Sequence, residues 1–145
     1  MPIQSFSIGK DVALDLVHPT LGIVSFGLLT GFNPRVLTTR LISAPITNSG
    51  RRVYRIIYDG WEGTFDVDRA DGTVDALFDL LESAYFAGAP ETYFMITETI
   101  KNIDGTIDEF RYRNVVIVPE DGGNWRGEEK VTQRFMFISG QRERV

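Results

Sequence analysis

The residues of this sequence that could do chemistry are few and poorly grouped. His18 is the one imidazole among 145 residues, it lies directly before Pro19, and the chain contains no Cys. A zinc site needs several ligands, and a His-activated nucleophile needs a hydroxyl or thiol held beside the ring. We therefore interpret His18 as a structural residue, and we expect neither a cofactor nor a catalytic residue.

Carboxylates are more numerous, and their densest group lies before and at the start of the predicted helix. A calcium loop needs oxygen ligands at a fixed spacing and a terminal Glu, which this segment lacks. Carboxylates near a helix N-terminus are instead stabilised by the helix dipole. We expect no metal site here, and the sequence favours a protein that is not an enzyme. The group comprises Asp66, Asp68, Asp71 and Asp75.

The elements that would have to position any site are mostly strands. Short runs rich in β-branched and aromatic residues recur between clusters of turn-forming residues, which is typical of a sheet. Two long loops, at residues 43–52 and 119–127, interrupt them. The predicted strands cover residues 12–17, 22–29, 36–42, 53–58, 64–67, 91–101, 106–118 and 128–139.

Two short segments predict reversals of the chain. Residues 59–63 contain two Gly, which suggests a tight reversal or a bulge with Trp61 at the turn. Residues 102–105 end in Asp-Gly, which readily adopts positive φ, so a hairpin turn is expected there.

One amphipathic helix follows the Asp-rich segment. Its apolar residues recur at three- and four-residue spacing from Val74 to Tyr85, so they form one stripe. Asp71 or Thr73 can cap its start, and Gly88 can end it in a left-handed conformation. The outer face of the helix is predicted to carry Asp75, Asp79 and Glu82.

Composition predicts one folded domain without a membrane span. Apolar residues make up 43% of the chain and aromatic residues 12%, enough for a packed core. The most apolar stretch, residues 21–29, is far shorter than the roughly 18 apolar residues of a membrane helix, and the first residues show no secretory signal. The net charge of −5 disfavours sequence-specific binding of nucleic acid. We predict a mostly β domain with one helix packed against a strongly bent sheet or barrel.

Residues 59–72, DGWEGTFDVDRADG, carry a more specific signal together with the helix that follows and NWRG at residues 124–127. This order of a strand, a Trp turn, a strand ending in Asp-Arg and a helix resembles the tail tube proteins of tailed bacteriophages. The resemblance implies a small β-barrel or sandwich flanked by a helix. It also implies six copies that join their sheets into a ring, which fits the need to protect exposed strand edges.

The same resemblance implies a location and partners. Stacked rings would form a hollow conduit in the virion tail, assembled in the host cytoplasm, through which DNA passes without specific binding. Repulsion between carboxylates and phosphates would keep the DNA mobile. The implied partners are further copies of the chain, a tail sheath, a tape measure protein and baseplate or terminator proteins.

Individual residues receive roles from the resemblance. The loop at residues 43–52 would reach a neighbouring subunit or ring through Asn48, Arg51 and Arg52. Trp61 and Trp125 would be packing anchors, with the core favoured over an interface. Strands at 92–100 and 106–114 would contribute to the inner barrel, which gives the candidate lumen or inter-subunit residues Glu98, Asp108, Glu109, Arg111 and Arg113.

Two other interpretations stay open. The chain could be the tube protein of a contractile secretion apparatus, which is similar in fold and ring size. From a different class, it could be a stand-alone β-barrel that binds or hydrolyses a small ligand in a cavity lined by Tyr54, Tyr58, Tyr93 and the acidic turns.

Overall fold

The computed structural model describes residues 5–20, 22–26 and 28–145, so the predictions that fall on residues 1–4, 21 and 27 lie outside the described residues. Within these ranges the chain is mostly β with one α-helix. Short 3₁₀ turns lie at Gly9–Asp11 and Ile46–Asn48. The strands are β1 (Val12–His18), β2 (Gly22–Val24), β3 (Leu29–Ser43), β4 (Val53–Asp68), β5 (Phe94–Lys101), β6 (Ile107–Asp121), β7 (Thr132–Ser139) and β8 (Gln141–Arg144), and the helix is α1 (Thr73–Phe86).

All the strands belong to one antiparallel sheet that is not closed. Its order is β2-β1-β5-β6-β7-β4-β3, with β8 paired to β6 beside this path. β6 joins the two halves, because its first part pairs with β5 and β8 while its second part pairs with β7. In the described chain β2 and β3 form the two ends of the path, so the predicted barrel is not seen in one copy.

The hairpin between β5 and β6 confirms the Asp-Gly prediction. The Asn102 N–H donates to the Thr106 carbonyl at 2.8 Å, and Gly105 has φ of 89°. The Asp104 carboxylate accepts hydrogen bonds from the hydroxyl and the N–H of Thr106, which lower the pKa of Asp104. The turn chemistry in the sequence therefore fixes the register of the two strands.

The helix also lies where the apolar spacing places it. Val74 and Leu77 are buried. The Asp71 carboxylate accepts from the Thr73 hydroxyl and N–H, and these bonds lower the pKa of Asp71. Gly88 has φ of 68° just after the last turn, as expected for a left-handed helix end.

The core between the helix and the two halves of the sheet is dominated by aromatic rings. Phe65 of β4 stacks on Phe135 of β7 with centroids 4.7 Å apart, and Phe32 of β3 stacks on Phe137 at 5.7 Å. Tyr112 of β6 meets Phe137 edge-on at 5.5 Å. Such rings contribute more than their buried area alone, so they anchor β4, β6 and β7 to each other.

The expected reversal at residues 59–63 is wrong, whereas the expected bulge is present. β4 runs without interruption from Val53 to Asp68, and its register with β3 shifts between the pairs Leu37–Gly60 and Thr38–Tyr58. The strand bends here instead of reversing because β3 stays paired to it on both sides of the bulge. Trp61 accordingly lies within β4, half-buried, with its ring 5.9 Å from the Tyr112 ring.

Two further boundaries differ from the sequence prediction. The single strand expected at residues 22–29 is divided, because β2 ends at Val24 and β3 begins at Leu29. The charged end of the chain, for which no element was predicted, forms β8 and pairs with β6 from Phe110 to Arg113. Its charged residues gain partners on β6, which a local pattern does not reveal.

Candidate assembly surface

The most distinctive surface is the outer part of the β3–β4 hairpin. β7 pairs with β4 from Trp61 to Asp68, but β3 and β4 continue together to the pair Ser43–Val53. Beyond the bulge, the described chain provides no third strand for the hairpin. We call residues 38–58, from the pair Thr38–Tyr58 to the tip, the arm.

Both faces of the arm are apolar and exposed. Side chains alternate along a strand, so Ile56 and Ile57 point to opposite faces, yet they are 46% and 42% exposed. Ile46 at the tip is 97% exposed. Contiguous exposed apolar surface of this kind marks interaction sites. The exposed large apolar residues of the arm are Leu41, Ile42, Ile46, Val53, Tyr54, Ile56, Ile57 and Tyr58.

The arm also carries an unbalanced charge. It holds four of the 15 basic residues of the chain and none of the 20 acidic ones, which leaves 11 basic against 20 acidic residues elsewhere. The Arg40 guanidinium lies 6.0 Å from the Tyr54 ring centroid. Among the described residues, no arginine of the arm forms an ion pair, whereas six arginines outside the arm do.

The predicted loop residues lie together at the tip of the arm. Asn48, Arg51 and Arg52 are exposed. The Arg51 N–H donates to the Asn48 carbonyl at 3.0 Å, and Ser49 and Gly50 between them have positive φ. The turn therefore presents both arginines outward, although their contact with a neighbour stays a prediction.

Glu98, one of the predicted lumen residues, does not reach the surface. It is 4% exposed and accepts a hydrogen bond from the Tyr112 hydroxyl at 3.5 Å. Burial raises its pKa, while the charge of Arg142 and the Tyr112 hydrogen bond act in the opposite direction. Burial also raises the pKa of Tyr112 to about 12. The prediction for Glu98 is corrected: its position opposite Phe110 turns it toward the core face of the sheet.

The other four predicted lumen residues are paired within the chain. Asp108 accepts from the Arg144 guanidinium at 2.7 Å, and the Asn102 amide lowers its pKa. Arg111 lies 3.7 Å from Glu109, and Arg113 lies 2.6 Å from Glu143 of β8. β8, which sequence reasoning missed, therefore supplies two of the partners. A lumen role for these four residues stays a prediction.

The three acidic residues predicted for the outer face of α1 differ in their surroundings. Asp79 and Glu82 are exposed, as expected. Asp75 is half-exposed, and its carboxylate accepts from the buried Gln133 amide at 2.7 Å and from the Arg69 guanidinium at 3.0 Å. The first turn of α1 follows β4 so closely that Asp75 satisfies these donors.

A groove lies on the other side of α1, between its second half and the sheet. Its volume is about 740 Å³. The helix contributes Phe78, Leu81 and Tyr85, and β6 contributes Ile117. The charged residues that line it are Glu82 and Glu91, and its described lining contains no basic residue.

Trp125 and His18 are the two remaining residues for which the sequence predicts a structural role. Trp125 is 69% exposed beneath the Arg69 guanidinium at 5.3 Å, so the favoured core position is wrong for this residue. His18 is buried, its ring lies 4.7 Å from the Phe94 ring, and Nδ1 accepts from the Thr20 N–H at 3.1 Å. These contacts support a structural role for His18.

The carboxylates before the helix do not converge on one point. Asp66 pairs with Arg134 at 2.6 Å, and Asp68 accepts from the Thr132 hydroxyl at 2.9 Å. The described residues contain no group of three or more His, Asp or Glu that could hold a metal ion. No helix among them is long and apolar enough to cross a membrane.

The three tyrosines predicted to line a ligand cavity lie in separate places. Tyr54 and Tyr58 lie on the exposed arm, whereas Tyr93 lines a separate shallow pocket with Val17 and Arg113. The pocket at Tyr93 therefore includes neither of the other two tyrosines.

Solved structures with the same fold come from tail-like assemblies. A chain in the anti-feeding prophage tube-terminating cap matches with a TM-score of 0.62 at 10% identity, covering 100% of this chain and 94% of that chain. A chain in the PVC sheath/tube terminator of an extracellular contractile injection system matches with a TM-score of 0.60 at 12% identity, covering 99% of both chains. A chain in the tail of an empty GTA particle matches with a TM-score of 0.58 at 11% identity, covering 97% of this chain and 99% of that chain.

No protein-family model matches the sequence, and no curated protein does. At these identities the structural matches show a shared fold. That fold fits the resemblance to tail tube proteins carried by residues 59–72 and the helix, and the neighbours are components of tail assemblies.

Proposed function

We propose that this chain is a structural subunit of a tail tube, or of the terminator at its end, and acts by self-assembly. The observation that carries the proposal is the arm, which exposes apolar side chains on both faces. Covering the arm in a complex would remove its apolar surface from water. Removal of apolar surface from water is the main driving force of most protein association.

The assembly we propose is a ring of six one-domain subunits, stacked into a hollow conduit. Two of the structures that share the fold are described as 6-fold symmetrised and as having C6 symmetry, which supports this number. Open sheet ends at β2 and β3 suit closure against neighbouring copies. The partners would be a sheath, a tape measure protein and baseplate or terminator proteins.

The cargo we propose is DNA, delivered through a phage tail that is assembled in the host cytoplasm. A net charge of −5 would limit adhesion of the phosphate backbone to the conduit. The second candidate is a tube or terminator of a contractile injection apparatus. It is favoured by the matches to chains of an extracellular contractile injection system.

Electron microscopy of the purified chain tests the proposal. We expect rings or short tubes at high concentration. Deleting residues 44–52 should abolish them while the chain stays folded by circular dichroism, because core residues such as Phe65 and Phe135 lie outside the deleted segment. A wild-type chain that stays a monodisperse monomer at high concentration contradicts the proposal.

A further inference from the structure

The groove beside α1 has the size and lining of a binding site. Its volume of about 740 Å³ falls within the roughly 300–1,000 Å³ typical of ligand pockets. Phe78 and Leu81 form its helical wall, and Phe94 and Ile117 form its floor. Tyr85, although 78% exposed, stands at its edge. An occupant must therefore present apolar side chains.

The charge of the groove restricts the occupant further. Both of its charged lining residues, Glu82 and Glu91, are acidic and exposed. A second groove on the opposite side of α1, lined by Ile23, Ala76 and Leu80, has no charged residue among its described lining. An apolar segment that also carries cations fits the first groove better than the second.

The arm is such a segment, and it belongs to the same chain. Ile46 at its tip is 97% exposed, and Arg51 and Arg52 lie in the same turn without an ion partner among the described residues. The arm does not contribute to the groove of its own copy. The arm and the groove are complementary in polarity and charge but do not meet within one chain, so they are suited to a contact between two copies.

We propose that the arm of one copy docks in the groove between α1 and β6 of a second copy. Ile46 enters the apolar space, while Arg51 and Arg52 face Glu82 and Glu91. The contact is head-to-tail, so it closes into a ring or continues as a stack according to the rotation between copies. The inference rests on the proposed function, because it identifies the contact that holds subunits together.

Disulfide cross-linking tests the pairing directly, because the chain has no Cys of its own. A copy carrying Ile46→Cys is mixed with a copy carrying Ala84→Cys, which lies in the groove. Oxidation should give a heterodimer on a non-reducing gel. The matched control is Ala76→Cys in the second groove, which should give at most a tenth of that product. Equal cross-linking of the two positions overturns the inference.

Charge reversal tests the same contact by a second measurement. R51E/R52E and E82R/E91R should each raise the concentration needed for assembly by roughly tenfold to a hundredfold, as close interfacial charge pairs do. Mixing the two variants should restore assembly, because each then offers the other a complementary surface. The control D79R changes an exposed acid outside the groove and should leave assembly unchanged.

Two outcomes distinguish a failure of self-assembly from a failure of the groove contact. A wild-type chain that never assembles overturns the proposed function and this inference with it. A wild-type chain that assembles while the reversed pairs do not rescue each other overturns the groove alone, and the arm then docks on another surface or protein.

Discussion

The β3–β4 hairpin runs through the arm and through the rest of the protein, which we call the body, and the two regions differ in what covers it. In the body, β4 lies between β3 and β7, and Phe65 and Phe135 stack with almost no exposure. In the arm, β4 has β3 alone beside it, and Tyr58 is 77% exposed. One strand therefore belongs to the core at one end and carries exposed apolar side chains at the other.

The largest expected contrast is between an aromatic residue of each region. Phe135→Ala should lower the free energy of unfolding by about 3–5 kcal/mol, since it removes a fully buried ring from the core. Tyr58→Ala should change it by less than about 0.5 kcal/mol. Urea denaturation at a concentration where the chain is monomeric measures both. A comparable loss in the two variants would show that the arm packs on the body.

The junction between the regions gives the next largest effect. Gly60 has φ of 108°, and a Cβ there would lie 2.3 Å from the Ser139 carbonyl oxygen. Gly60→Ala should therefore cost about 2 kcal/mol or more of stability. Gly50 at the tip of the arm has φ of 78° but nothing near its Cβ position. Gly50→Ala should cost about 1 kcal/mol, the left-handed strain alone.

Thermal unfolding of these two glycine variants checks the prediction. Equal losses would mean that backbone strain, and not the close approach of β4 to the end of β7, sets the requirement for glycine at the junction.

A buried charge in the body predicts a pH dependence. Because burial raises the pKa of Glu98 above its ordinary value of 4.5, folding favours its protonated form. The resulting stabilisation is full below that value and is lost as pH rises through the raised pKa. Glu98→Gln, which stays neutral, should therefore match the wild type near pH 4 and be more stable than the wild type at pH 7.

Denaturation curves at the two pH values measure this difference. The arm offers no carboxylate for comparison, so the control is Glu128→Gln in an exposed loop of the body. A Glu98→Gln advantage that is the same at both pH values would falsify the assignment to ionisation.

Surface ion pairs give the smallest effect. Arg144→Ala breaks the 2.7 Å pair with Asp108 and should lower the free energy of unfolding only slightly, because the arginine is largely exposed. Arg51→Ala in the arm should leave the stability of the monomer unchanged while it weakens assembly. Denaturation and sedimentation of the same samples separate the two outcomes, and a stability loss for Arg51→Ala would argue against an arm arginine reserved for a partner.

Sequence patterns correctly predicted the elements that depend mainly on residues close together in the chain. The Asp-Gly turn before β6 and the apolar spacing of α1 confine the backbone through φ preferences and one-sided hydrophobicity. The bend at Gly60 could be predicted only as a choice between a reversal and a bulge. The choice depends on whether β3 stays paired beyond it, which residues 59–63 do not encode by themselves.

Contacts between distant residues decided the positions that the sequence misjudged. Glu98 was predicted at a surface, but its strand partner Phe110 lies beside the buried Tyr112. Asp75 stays half-exposed on α1, and what the helix pattern did not show is that Gln133, 58 residues later, donates to its carboxylate. Trp125 was favoured for the core because large aromatics usually lie there, yet it stacks on Arg69 at the surface.

The sequence alone determined that the chain is mostly β with one helix, and it carried the resemblance to tail tube proteins, because these depend on propensity, spacing and order along the chain. It also contained the excess of arginine in residues 38–58. Only the tertiary structure showed that these residues form an arm exposed on both faces and that an acidic groove lies beside α1. Periodicity specifies which side chains share a face of a strand, but whether another element covers that face depends on the packing of the whole chain.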